Sequence, residues 1–209
     1  MAIITAALLS LSLLVASATT HPTSSSIDPT CLTNEETQSI ASKFVTLFTT
    51  DPSTGKISNG EDFVLTLVTP DFQWYSADSY VCSTPGKHDC HLVGPDQPLF
   101  DSRDRLIHSL KGTNESDAKT PYTNYQASVL HTFASCDEIA IRFEGTGKAN
   151  SQAAAVTVPQ DTPVKWQGTI LLGINLASRL VKKSESSEDA LTVLSQLGVK
   201  NVTEYFFQL

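Results

Sequence analysis

Between Asn124 and Phe133 the sequence alternates. Tyr125, Ala127, Val129, His131 and Phe133 fall on one parity, and Asn124, Gln126, Ser128, Leu130 and Thr132 on the other. A period of two is that of a strand with one face buried. Ala134-Ser135-Cys136-Asp137 then makes a tight turn into EIAIRFEGTG, whose Ile139, Ile141 and Phe143 share a face. Such a hairpin cannot stand alone, because its apolar side must be covered. More strand follows: the soft segment KANSQAAAVTVPQDTP leads to VKWQGTILLGINL, and Ser178 turns the chain back into RLVKKSES.

The cover comes from the N-terminal half. Thr33-Asn34-Glu35-Glu36 is a capping box, and Ile40, Ala41, Phe44, Val45, Leu47 and Phe48 recur at helical spacing behind it. Asp51-Pro52-Ser53-Thr54-Gly55 ends that helix. EDFVLTLV reads as a short second helix stopped by Pro70-Asp71, with FQWYS as an aromatic strand after it. A third helix spans Ser102 to Leu110 with Leu106, Ile107 and Leu110 inward, and residues 111–121 form a loop. A last helix, Ser187 to Leu197, turns Ala190, Leu191, Leu194 and Leu197 inward and ends at Gly198. Helices segregated against a curved antiparallel sheet make an α+β domain, here residues 31–200, with 201–209 as a C-terminal tail.

The beginning of the chain bears on compartment. Ile3 to Val15 is apolar or small, Ala16-Ser17-Ala18 is an A-x-A-like cleavage site, and polar residues 19–30 follow as a lead-in. Residues 1–18 therefore read as a signal peptide, although no Lys or Arg precedes the apolar run. The protein is expected to be secreted and extracellular. Four cysteines in an oxidising compartment imply two disulfides. Pro85-Gly86 folds Cys82 toward Cys90, which leaves Cys31 for Cys136. On the chain-entropy model the short loop contributes about 2.6 kcal/mol and the long one ~4.8 kcal/mol. Seven residues between Cys82 and Cys90 do not suit zinc, so His88, Asp89 and His91 are read as a stapled loop, with no metal expected. Asn114-Glu115-Ser116 and Asn201-Val202-Thr203 are acceptor sequons for glycosylation. With 14 basic and 22 acidic side chains the net charge is −8, a poor match to nucleic acid. No segment after the leader is long and apolar enough for a membrane helix.

Four stretches carry a family likeness: DFVLTLVTPDFQWYSAD, DSRDRLIHSL, ASVLHTFASCDEIAIRFEGTG and SRLVKKSESSEDALTVLSQLG. In order and texture they resemble the nuclear transport factor 2-like superfamily, specifically its SnoaL-like (polyketide cyclase-like) branch. The resemblance implies a cone: a bent sheet around helices, enclosing an apolar pocket open at one end and needing no cofactor. Its members include isomerases, cyclases, dehydratases, epoxide hydrolases and non-enzymatic modules, so fold does not deliver function. Members often pair through the open sheet face. A homodimer is thus among the expected partners, unless glycans on both sequons bar it.

Candidate pocket residues are Trp74, Tyr75, Tyr125, His131 and Trp166. Of the neighbours Trp74 and Tyr75, only one can face the core. His131 is the candidate acid or base, with Asp71 or Asp78 as its carboxylate partner. The competing reading makes His131 a core histidine and the aspartates turn formers. The family's tyrosine–aspartate isomerase pair and its aspartate–arginine–aspartate hydrolase triad cannot be completed residue by residue. Three functions stay open: binding a small apolar molecule in the cone, a cofactor-free lyase or isomerase using His131, and a surface interaction module without ligand.

Overall fold

A computed structural model of the chain describes residues 31–76, 80–82, 90–92, 96–115, 120–153 and 156–200. Residues 1–18 (expected to be a signal peptide), the lead-in, Asp78, Ser116, Asn201 and the C-terminal tail lie outside these residues. The side chains of Cys82, Cys90 and His91 lie outside the description as well.

Helix α1 (Asn34–Val45) opens with the capping box: Glu36 N–H donates to Thr33 Oγ1 at 3.2 Å and Thr33 N–H to Glu36 Oε2 at 2.8 Å. Its buried face is Thr37, Ile40, Ala41, Phe44 and Val45. Helix α2 (Glu61–Leu65) is shorter than its sequence suggests. Strand β1 (Val68–Ser76) takes in Pro70-Asp71, at a register irregularity between Val68 and Gln73 where a missing N–H breaks no regular ladder. A small antiparallel pair, β2 (Tyr80–Cys82) and β3 (Cys90–Leu92), sets Cys82 opposite Cys90. Helix α3 (Arg103–Glu115) runs past the expected Leu110, so Asn114 sits on its last turn and not in a loop.

Strands β4 (Tyr122–Ala134), β5 (Glu138–Ala149), β6 (Pro163–Asn175) and β7 (Leu180–Glu188) complete the main sheet, in the order β1-β7-β6-β5-β4. The sheet is mixed, not wholly antiparallel: β1 lies parallel to β7, and the other neighbours are antiparallel. That pairing is open to β1 because helix α3 and two hairpins separate it from β7 in the chain. Strand β7 also runs further than expected, so Ser187 and Glu188 are strand. Helix α4 (Ala190–Gln196) starts on an Asp189 cap. The later start rotates α4, burying Val193, Leu194 and Leu197 and leaving Leu191 exposed.

Disulfide Cys31–Cys136 ties the start of the domain to the β4–β5 turn across 105 residues. The main core lies between α1, α2, α3 and the concave face of the sheet. A second cluster, with Trp166 at its centre, packs under α4.

Two irregularities in β4 decide which side chains face the cone. Asn124, at φ 52°, lies within the register shift between Thr123 and Gln126, a backbone region that Asn tolerates better than most. The shift brings Tyr122 and Tyr125, three residues apart, to the same side. A second shift falls between Val129 and His131. One extra residue inverts the parity beyond it. Tyr125, Ala127 and Val129 therefore pack inward, whereas His131 and Phe133 turn outward and are exposed. The expectation that His131 and Phe133 share the buried face fails for this reason.

Candidate functional site

The concave face of the sheet and the helices enclose an aromatic chamber of about 250 Å³. Phe44 and Phe48 come from the α1 end, Trp74 from β1, Phe100 from the segment beside it, and Phe143 from β5. Trp74 is the hub, with ring centroids 5.0 Å from Phe44, 5.5 Å from Phe48 and 6.0 Å from Phe100. Its indole N–H donates to Ser186 Oγ at 2.9 Å. Main-chain bonds between Trp74 and Leu99-Phe100 cover the free edge of β1.

The chamber meets a wider vestibule of about 550 Å³, and Phe48, Tyr125 and Glu188 line both spaces. They form the throat. Trp166 lies just outside it, stacked on Tyr125 at 5.5 Å and 16°, with Tyr122 at 5.0 Å from its ring. Trp166 Nε1–H donates to Glu188 Oε2 at 3.0 Å. Burial, reinforced by the charge of Glu188, raises the Tyr125 phenol above its ordinary value, so it stays a neutral hydroxyl at physiological pH. The site thus offers a hydroxyl donor and a carboxylate at the throat of an apolar chamber.

Two glycines make room for the rings. A Cβ on Gly145 would stand 2.5 Å from Trp166 Cε2, and one on Gly168 would stand 2.5 Å from Phe143 Cε1. Each glycine faces its aromatic directly across the β5–β6 ladder.

Of the candidate residues, Trp74, Tyr125 and Trp166 come together around chamber and vestibule. Tyr75 and His131 do not join them. Both border a groove of about 710 Å³ on the outer face of the sheet, more open to solvent, with Phe133, Arg142, Leu171 and Glu185. Lys183 Nζ lies 4.9 Å from the Tyr75 ring. Asp71 is exposed on β1 and lines neither chamber nor vestibule nor the outer groove that His131 borders. Among the described residues no cluster of His, Cys, Asp or Glu is arranged to hold a metal.

Sequence reasoning missed Glu188, because ESSED reads as an acidic turn into a helix. The available signal was the alternation Ser184, Ser186, Glu188, which continues β7 with Glu188 across from Gly168.

The family model for an NTF2-like domain matches residues 30–200. The chain belongs to the NTF2-like family. Solved structures agree on the fold. A protein assigned as a SnoaL-like polyketide cyclase from Jannaschia sp. CCS1 superposes with a TM-score of 0.52 at 15% identity, covering 81% of this chain and 98% of its own. IdmH from Streptomyces antibioticus, assigned as a polyketide cyclase, gives 0.52 at 16% identity, covering 75% of this chain and 96% of its own. No curated protein sequence matches this one. The NTF2-like cone is thus established, and the throat residues are read on their own geometry.

Proposed function

We propose that this protein is a secreted NTF2-like binding protein that holds a small apolar molecule inside its cone. The observation that carries the reading is the aromatic chamber, joined to solvent through a throat where Tyr125 and Glu188 supply polar contacts. Apolar walls with a few convergent polar groups are what a small-molecule site requires. The outer groove is larger, but it is more open and borders the exposed Phe133. Secretion is supported by the apolar leader and is compatible with the disulfide.

The neutral dye N-phenyl-1-naphthylamine tests this. It should brighten on binding the folded protein, and Val45→Phe, which fills the chamber wall, should abolish that signal. Unchanged binding to folded Val45→Phe, lost instead on Phe133→Ser, would move the site to the outer groove and end the cone reading.

A second reading, a cofactor-free lyase or isomerase, is favoured by one feature. Glu188 could take a proton while the Tyr125 hydroxyl donates to the developing oxyanion. His131 has no access to the chamber for that role. On any substrate that is turned over, Glu188→Gln should abolish activity while His131→Ala leaves it intact.

A further inference from the structure

We infer that the molecule held in the cone carries a protonated amine, seated at the throat against Glu188. This rests on the cone reading above and names its ligand class. Among the described residues lining the inner chamber, Glu188 carries the only formal charge. Among its described lining residues the vestibule adds one further charge, Lys56, exposed on the turn that forms its rim. Nothing cationic among the chamber's described lining residues is present to receive a carboxylate or phosphate.

Glu188 is also positioned. It is fixed in β7 opposite Gly168, and Trp166 Nε1–H donates to its Oε2 at 3.0 Å. Beside it stand the rings of Tyr122, Tyr125 and Trp166, with centroids 5.0–6.2 Å apart. Aromatic faces carry the negative end of a quadrupole and attract cations; here Tyr122 and Tyr125 line the vestibule, while Trp166 turns its N–H edge to Glu188. The carboxylate and the rings therefore bias the throat the same way. The net charge of −8 extends that bias to the approach from solvent.

An ammonium group at this point keeps vestibule water on one side, which spares it the cost of complete desolvation. Its apolar body enters the chamber, whose volume of about 250 Å³ suits a compact ring system and not a long chain. The ligand class is a compact alicyclic or aromatic amine.

Three probes with one body test the charge preference: 1-adamantylmethylamine, 1-adamantylmethanol and 1-adamantanecarboxylate at neutral pH. Calorimetry gives affinities, and fluorescence of the chain's 2 tryptophans, Trp74 and Trp166, reports occupancy of chamber and throat. The amine should bind about tenfold tighter than the alcohol, and the carboxylate weaker than either. Glu188→Gln should bring the amine to within about twofold of the alcohol. In the unaltered protein, added salt should weaken the amine and not the alcohol, a comparison that needs no variant. Equal binding of amine and alcohol, or a carboxylate that binds as well as the amine, overturns the inference while the cone reading stands. If no probe binds or perturbs either tryptophan, the cone reading falls and this inference falls with it.

Discussion

Gly145 shows how finely the site is fitted. The Trp166 ring lies across it, so Gly145→Ala must displace an indole that is stacked on Tyr125 and bonded to Glu188. Denaturant unfolding should show a loss of about 1–3 kcal/mol, with a shift in tryptophan emission. Gly112 in α3 has open space where its Cβ would be, and Gly112→Ala should stabilise by about 0.5–1 kcal/mol. Asn114 is another fitted residue. Its Oδ1 accepts from Ile57 N–H at 2.7 Å, and its Nδ2 donates to Ile57 O at 3.5 Å, tying α3 to the vestibule rim. A glycan on that nitrogen would replace an amide hydrogen and emerge into the vestibule. The intact mass of secreted Ser116→Ala should therefore equal that of the unaltered protein apart from the substitution. A lost glycan would show that Asn114 carries one.

Among the elements, α4 depends on one cap. Asp189 accepts from Thr192 N–H at 3.1 Å and from the Thr192 hydroxyl at 2.6 Å. These bonds, the hydroxyl's first, hold its carboxyl below the usual value. A lowered folded-state pKa stabilises the fold above the unfolded value, and that stabilisation is lost as pH falls through the folded one. Acid should therefore loosen α4, and with it the cluster behind Trp166, below the ordinary carboxylate range. Asp189→Ala should remove that component of the acid dependence, measured as melting temperature against pH, and lower the melting temperature at neutral pH. Strand β4 teaches a different lesson. Its alternation is plain in the sequence, yet two extra residues reassign its faces. Period-two reasoning identified the strand correctly and could not locate the bulges, because a bulge is set by the partner strand. Similar logic moved the start of α4: ESSE can be strand or helix, and pairing with β6 decides for strand.

On the scale of the whole molecule, the two faces of the sheet have different chemistry. The inner face holds the aromatic chamber. The outer face exposes Phe133 at 74% and Leu171 at 39%, with Arg142 and His131 toward one side and Glu185 toward the other. Exposed apolar residues on an open sheet face suit a two-fold contact, in which each copy covers the other's Phe133. Sedimentation velocity should find a dimer of the unaltered protein and a monomer of Phe133→Asp. A monomer in both cases would leave the outer groove without this role.

The α+β class, the α1 capping box, the Cys31–Cys136 pairing and the NTF2-like likeness were legible in the sequence. Capping boxes, hairpin turns and periodicity are written in neighbouring residues, and the disulfide followed once the short loop had claimed its own cysteines. Which aromatics meet was not legible. Trp74, Tyr125 and Trp166 lie on three strands, and only the ladder registers bring them to the inner face of the sheet while sending His131 to the opposite face. Glu188 became visible only when β7 was seen to pair with β6 along its whole length. Long-range pairing sets side-chain direction, and no local pattern in one strand contains the register of the next.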